Sequence, residues 1–205
     1  MCSIFGTNKV VGKENLLFSV LGIAGEERGT DATGAGWLSD EKMKVMKDHI
    51  RASEFDWGEI PNEAKFFIGH TRKTTQGTEK NNYNNHPFLN KKENIMLAHN
   101  GIISNDKTLK KDWELDNTKI KTDSYVILQM IETAKFMLQK DEVDIDVILE
   151  VVELLQGSFA LSILTTKRLF LLRHSNPLYY TYDGENLTYA STLDMFEDAM
   201  GFITD

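Results

Sequence analysis

Met1-Cys2-Ser3-Ile4-Phe5-Gly6 opens the chain, and the reading of this hexapeptide decides the fold. Cys2 is the single cysteine of the sequence. Initiator methionine is ordinarily removed ahead of a small residue, and cysteine qualifies. Removal places a free α-amine, with a reference pKa of about 7.7–8.0, on the same residue as a thiol of about 8.5. An amine that is partly neutral near pH 7 can act as general base toward its own side chain, so nucleophile and base travel together. The plainer reading of Cys2 is a small buried apolar residue near a terminus, because free cysteine is most often buried and inert. The residues after it form a short apolar run ended by glycine, so Cys2–Gly6 is predicted to be a strand.

Working outward, Lys13–Arg28 carries Leu16, Leu17, Val20, Leu21 and Ala24 at helical spacing. Thr33–Ser39 and Met43–Asp48 are predicted to form a hairpin turning through Asp40–Glu41, and Lys65–Thr71 and Asn94–Ile103 to be strands. Asp123–Gln139 gives the clearest helix, with Val126, Ile127, Met130, Ile131, Ala134, Met137 and Leu138 on one stripe. Asp144–Leu155 is predicted as a second helix. Four strands follow over Ser158–Thr166, Arg168–His174, Leu178–Asp183 and Leu187–Ala190. A last amphipathic helix begins after the N-cap candidate Thr192 and carries Met195, Phe196, Ala199 and Met200. Strands, two long helices and strands again predict two sheets packed between helical layers.

The 205 residues are 41% hydrophobic and 26% charged, which fits one domain over residues 1–205. Net charge is −8, with a pI near 5.2, against a general nucleic-acid or anionic-membrane surface. One cysteine permits no internal disulfide, and no signal-peptide or membrane-spanning pattern is present, so a cytoplasmic location is expected.

Four polar clusters punctuated by glycine stand out. They are Arg28-Gly29-Thr30-Asp31-Ala32-Thr33-Gly34, Gly69-His70-Thr71-Arg72-Lys73-Thr74-Thr75-Gln76-Gly77, the pair Asn84-Asn85-His86-Pro87-Phe88 and Ala98-His99-Asn100-Gly101-Ile102-Ile103, and Lys121-Thr122-Asp123-Ser124. Each has an ordinary explanation. The first reads as an Asx turn. Asn100-Gly101 reads as a type I′ hairpin. Thr122-Asp123 reads as a helix cap with a first-turn carboxylate, and Arg72 as a surface ion pair. His70, His86 and His99 lie on separate segments without a zinc-ligand spacing, so core packing is expected of them and no metal or other cofactor is called for.

Taken together with Cys2, in this order, the clusters resemble the glutaminase domain of class II glutamine amidotransferases, which are N-terminal nucleophile hydrolases. The resemblance runs from Cys2 to the terminal β strands. It implies an α+β fold, a four-layer αββα sandwich, and hydrolysis of glutamine to glutamate and ammonia. Cys2 would attack the primary amide and form a thioester. The oxyanion needs two preorganised donors about 2.7–3.1 Å away. The Asn100 side-chain amide and the Gly101 backbone N–H match the family's positions for them. Arg72 matches the group that clamps the substrate α-carboxylate in a planar fork, and Asp123 the group that pairs with the α-ammonium. Thr75 and Gln76 fall on the loop that adds contacts to the carboxylate end. Arg28 matches a supporting arginine expected against the Cys2 carbonyl or neighbouring strands.

The chain departs from the family pattern at Lys73, where some members carry an aromatic residue, and at Gln76, where a sugar-phosphate-using member carries a histidine. No P-loop or dinucleotide fingerprint remains. Ammonia is therefore expected to pass to a separate synthase or acceptor-binding protein, with L-glutamine as substrate and homo-oligomerisation left open. Two alternatives stay in view. One is a free-standing N-terminal-cysteine amidase acting on another amide, and the other a non-catalytic binding protein on the same fold.

Overall fold

The computed structural model describes residues 1–8, 16–62 and 64–204, with the side chains of residues 200 and 202–204 excepted. Residues 13–15 of the first expected helix and the Met200 side chain lie outside the described residues.

Among the described residues, ten strands and five α-helices follow one another in the order β1 (Ser3–Thr7), α1 (Leu16–Ala24), β2 (Ala32–Ser39), β3 (Lys42–Asp48), β4 (Phe66–Arg72), β5 (Phe88–Leu89), β6 (Ile95–Ile103), α2 (Asp106–Asp112), α3 (Asp123–Met137), α4 (Ile145–Val152), β7 (Gly157–Thr165), β8 (Leu169–His174), β9 (Tyr179–Tyr182), β10 (Leu187–Ala190) and α5 (Leu193–Thr204). The strands form two antiparallel sheets. One has six strands in the order β3-β2-β4-β1-β10-β9, and the other four in the order β5-β6-β7-β8.

Alternation along the central strands shows why the sheets stack. On β1, Phe5 packs with Leu17, Phe18, Leu21, Met195 and Ala199 of the helices α1 and α5. Its neighbour Ile4 points the other way, into a core with Met96, Ala98, Ala160 and Tyr189. On β6, Met96 and Ala98 face that same inter-sheet core, while Ile95 and Leu97 face Val126, Ile127, Met130 and Val147 of α3 and α4. The central strands of each sheet are thus buried on both faces. Three apolar layers separate four structural ones in the sequence helices, sheet, sheet, helices. This is the αββα sandwich that was expected.

The ends of the elements follow local chemistry. The β2–β3 turn has Asp40 at φ 48° and Glu41 at φ 62°, the left-handed pair of a two-residue hairpin turn. Asp144 caps α4 by accepting from the Val147 N–H at 3.1 Å, and Thr192 Oγ1 accepts from the Met195 N–H at 3.4 Å at the start of α5. The first helix stops at Ala24, short of Arg28, and a turn of 3-10 helix follows. The Gly25 carbonyl is taken there by the Thr71 hydroxyl at 2.7 Å. The helix α2 had no counterpart in the sequence reading, because Asp106–Asp112 contains a single buried apolar residue, Leu109.

Candidate active site

The six-stranded sheet delivers Cys2. Ser3 pairs with Thr71 across the β1–β4 ladder, so the residue before β1 meets the residues after β4. Cys2 Sγ accepts from the Lys73 N–H at 3.3 Å, and Arg28 Nε donates to the Cys2 carbonyl at 2.8 Å. The start of the strand is pinned further. Ser3 Oγ and Thr71 Oγ1 lie 2.6 Å apart, and the Ile4 N–H donates to Ser191 Oγ at 2.8 Å. Burial pushes the Cys2 thiol up. The Lys73 N–H, the ammonium of Met1 and the Arg72 guanidinium pull it back in part, and the Asp123 carboxylate adds to the rise. The net shift is upward, so with Met1 in place this thiol is protonated at neutral pH.

The four-stranded sheet delivers Asn100 and Gly101. Both lie inside β6, opposite Ala160 and Phe159 of β7. The hairpin reading of Asn100-Gly101 is therefore overturned: the chain runs straight through the dipeptide. Gly101 has φ 151°, and a Cβ there would stand 2.0 Å from the Ser158 carbonyl oxygen, so the strand admits no side chain at this point. Asn100 is 1% exposed, and its carbonyl accepts from Asn176 Nδ2 at 2.7 Å. Its own Nδ2 is buried with no hydrogen-bond partner among the described residues. A buried amide donor with nothing to donate to costs stability, of the order of 1–3 kcal/mol for such a group, and marks a site waiting for an acceptor.

A chain of polar side chains locks the two sheets at this level. His70 Nε2 on β4 meets the His99 carbonyl of β6 at 3.0 Å, which requires the Nε2–H tautomer of His70. His99 Nδ1 lies 2.8 Å from Ser124 Oγ. Asp123 Oδ1 accepts from the Ser124 N–H at 2.8 Å and from its hydroxyl at 3.2 Å, and Asp123 Oδ2 accepts from the Ile103 N–H at 2.7 Å. Asp123 thus ties the first turn of α3 to the end of β6. Thr122, the cap candidate, makes no capping bond, and its Oγ1 is buried without a partner among the described residues. The cap reading survives only for the carboxylate of Asp123.

Burial holds the three histidines neutral. His70 is lowered to about 3, first by burial and then by Arg72, while His86 is lowered well below its ordinary value and His99 is lowered, burial leading in both. His70 and His86 stack with ring centroids 4.2 Å apart. Among the described residues no group of three or more His, Cys, Asp or Glu side chains could hold a metal ion.

Arg72 is buried, so the surface ion-pair reading fails. Its Nη1 donates to Asn85 Oδ1 at 2.5 Å, and its Nη2 donates to the Gly77 carbonyl at 3.0 Å and also to the Gln76 carbonyl. Two of these bonds hold the segment 73–80 against the sheet directly, and the third holds Asn85. Asn85 is the hub of this arrangement. Its Nδ2 donates to the Glu79 carbonyl at 2.8 Å, and its own carbonyl accepts from Lys47 Nζ at 2.8 Å. Burial and the nearby Arg72 bring Lys47 down to about 8. On the other side, Asp31 accepts from the Thr74 N–H at 2.8 Å and lies 3.5 Å from Lys73 Nζ. Thr75 and Gln76 stand on the outer surface of this loop, both exposed.

Cys2, Arg28, Arg72 and Asp123 are thus gathered at one place: Arg28 touches Cys2, and the charges of Arg72 and Asp123 both bear on its thiol. Asn100 and Gly101 sit on the strand whose end Asp123 holds. The sequence reading passed over Asn85, Asp31 and the Lys73 N–H. Asn85 and Asp31 lay inside quoted clusters but looked like turn residues, and a backbone donor leaves no signal in residue type.

The family model described as a glutamine amidotransferase domain matches residues 70–198. The glutamine–fructose-6-phosphate aminotransferase (isomerizing) of Clostridium perfringens is 34% identical over 161 residues, covering 75% of this chain and 25% of that protein. The enzyme of the same name from Aquifex aeolicus is 32% identical over 197 residues, covering 91% of this chain and 32% of that protein. The chain spans about a quarter to a third of the length of these relatives. Among solved structures, the glutamine phosphoribosylpyrophosphate amidotransferase from B. subtilis, complexed with ADP and GMP, superposes with a TM-score of 0.76 at 21% identity, over 97% of this chain and 44% of that one. By its match to the family model and to these relatives, and in agreement with its two-sheet fold, the chain belongs to the class II glutamine amidotransferases.

Proposed function

We propose that residues 1–205 form a single glutaminase domain that hydrolyses free L-glutamine through Cys2 after loss of Met1. Loss of Met1 moves the α-amine onto Cys2, where it takes the thiol proton. The thiolate attacks the side-chain amide carbon, and the carbonyl oxygen becomes an oxyanion that accepts from Asn100 Nδ2 and the Gly101 N–H. Collapse breaks the C–N bond. The amine returns its proton to the leaving nitrogen, ammonia departs, and a glutamyl thioester remains on Cys2. Water then cleaves the thioester to glutamate and restores the thiol. Arg28 acts through the Cys2 carbonyl, fixing where the sulfur stands.

The observation that carries this reading is the buried, unpartnered Nδ2 of Asn100 next to Gly101, a position that admits no side chain. Arg72, with two donors left over from the loop, and Asp123 are assigned to the α-carboxylate and α-ammonium. Thr75 and Gln76 close over the carboxylate end. A conjugated amide or a peptide would need neither pole, which favours glutamine over the wider amidase reading. The ammonia is assigned to an acceptor held by a synthase, as a partner protein or a further domain.

Intact mass spectrometry before and after a glutamine-like diazo-ketone tests the core of this. The expected result is a chain lacking Met1 that gains one inhibitor adduct on Cys2. Full glutaminase activity in a preparation that retains Met1 would sink the N-terminal mechanism. Equal kcat/KM for glutamine and its α-N-acyl derivative would remove Arg72 and Asp123 from substrate selection.

A further inference from the structure

Behind the loop that carries Gln76 lies a second cleft, of about 260 Å³, which the proposed reaction does not use. Its walls are Lys107 and Lys110 of α2, Lys121 and Thr122 ahead of α3, and Gln76 itself. Cys2, Arg72, Asn100 and Asp123 are not among its lining residues. Lys107 and Lys110 stand three residues apart and so share one face of α2. None of the three lysines has an ion-pair partner among the described residues, and the one hydrogen bond of an ammonium is from Lys121 Nζ to the Thr118 carbonyl at 3.3 Å. Asp106 is the single carboxylate lining the cleft and offsets one of the three charges. On a chain of net charge −8 this is a local positive hollow. Thr122 Oγ1, buried and unpartnered, adds a polar atom in the wall with no partner of its own.

A neighbouring hollow of about 400 Å³ sharpens the contrast. Its lysines Lys91 and Lys92 are matched by Glu114, Asp116 and Glu132, and Lys91 already faces Asp116 at 3.7 Å. Charge is balanced there and left over in the smaller cleft.

We propose that the cleft between α2 and the segment 118–122 is a binding site for a small organic phosphate. Three lysines against one carboxylate leave two positive charges, which match a dianionic phosphate. Ammonium groups hold a phosphate as compact, mobile point charges. Ile120 and Val126 in the same walls cover a short carbon skeleton. The volume lies just below the roughly 300–1,000 Å³ of drug-sized pockets, so the ligand is a few carbons long. The site touches the glutamine loop directly. Gln76 lines the cleft, the Lys121 N–H donates to Asn84 Oδ1 at 2.9 Å, and a Cβ on Gly77 would come within 2.9 Å of the Lys121 carbonyl oxygen. A phosphate held by Lys121 therefore bears on the loop and on the segment leading to Asp123.

The inference stands apart from the reaction proposed above, because binding is read without turnover. Calorimetry and backbone-amide NMR on the full chain, at constant ionic strength set with sodium chloride, would use inorganic phosphate and glycerol 3-phosphate as probes. The expected result is saturable binding, tighter for glycerol 3-phosphate, with shifts at Gln76, Gly77, Lys121 and Thr122. Lys107→Ala with Lys110→Ala should weaken it by about tenfold or more. Lys107→Arg with Lys110→Arg should retain it, and so should the distant pair Lys91→Ala with Lys92→Ala. If the alanine pair fails to fold, Lys121→Gln serves in its place with the same expected loss. Absence of saturation, or equal loss in the distant pair, overturns the site. Equal affinity for the two probes overturns the organic part of the assignment.

Discussion

The seam between the two sheets and the loop over residues 73–80 lie side by side, and they are built in opposite ways. In the seam, Asn100, Asp123, His70 and His99 are buried, and their positions are set by strand ladders and by hydrogen bonds to backbone. The loop has no ladder. It is held by the Arg72 fork and Asn85 on one side and by Asp31 on the other, and its Thr75 and Gln76 side chains face solvent. The difference teaches where preorganisation and selection are divided. On the proposed mechanism, the oxyanion donor Asn100 is fixed before substrate arrives, while Thr75 and Gln76, proposed to contact the substrate carboxylate end, sit on a segment that a few side chains can release. Substitution of Asn100 in the seam should therefore strike kcat, and substitutions around the loop should strike KM.

The largest effect is expected from Cys2→Ala, which should lower turnover by roughly 10⁴-fold or more, as for loss of a nucleophile elsewhere. Thermal unfolding should barely move, because the Arg28 contact is to the Cys2 carbonyl and survives the change. A large fall in stability would mean that the thiol is a packing group.

Asn100→Ala comes next. Loss of one oxyanion donor should lower kcat by roughly 10²–10³ with KM nearly unchanged. Because Nδ2 has no partner in the free protein, the alanine variant should be no less stable than the parent. A tenfold rise in KM at constant kcat would place Asn100 with the loop and break the contrast.

Arg72→Lys keeps the charge and loses the fork. The loop carbonyls of Gln76 and Gly77 then lose donors, and KM should rise about tenfold or more, matching the loss of a charge-assisted hydrogen bond of about 1.5 kcal/mol. Steady-state kinetics decide it. A kcat loss without a KM change would assign Arg72 to the seam.

Acid should separate the two regions as well. His70 is held neutral in the folded state with its pKa lowered to about 3, against an unfolded value near 6.5, so the unfolded chain binds the proton more readily. Its contribution is fully present above about 6.5 and is lost as pH falls toward 3, at up to about 1.4 kcal/mol per pH unit. His86 and His99 act in the same direction. The segment 73–80 contains no histidine. Denaturant unfolding at pH 7, 6 and 5 should show the slope, and a flat profile would mean that the seam opens to water before it titrates.

The layers were legible because each central strand is buried on two faces and reads as an apolar run, while α3 carries a long stripe. The gathering of Cys2, Arg72 and Asp123 was legible only through motif order, since no local pattern says that β1 pairs with β4 or that Asp123 reaches Ile103. Asn100-Gly101 shows the limit of local rules. The dipeptide carries a strong hairpin signal, yet it runs straight because β7 pairs with β6 along its whole length. Asn85 and Asp31 stayed hidden for a related reason. Their partners are backbone carbonyls and N–H groups of a loop, and only the fold brings that loop to them.

The smallest effect is the most discriminating. Asp31 Oδ2 accepts from the Thr74 N–H, and Oδ1 faces Lys73 Nζ, so this one carboxylate holds the loop from the side opposite to Arg72. Burial alone would raise its pKa, but the Thr74 N–H and Lys73 outweigh it and hold the carboxyl below its ordinary value. Asp31→Asn keeps the shape and an acceptor for Thr74 while removing the charge that Lys73 faces. Lys73 Nζ is more than half exposed, and an exposed pair of this kind is worth about 0.5 kcal/mol. The loop should loosen slightly, and KM for glutamine should rise about two- to threefold with kcat unchanged. The same substitution in 0.5 M salt should have almost no effect, because screening has already removed the pair. A kcat loss that persists in salt would show that the 73–80 loop orders the Lys73 N–H on the Cys2 sulfur during the reaction. The loop would then belong to the catalytic seam, and selection and chemistry would be one structure.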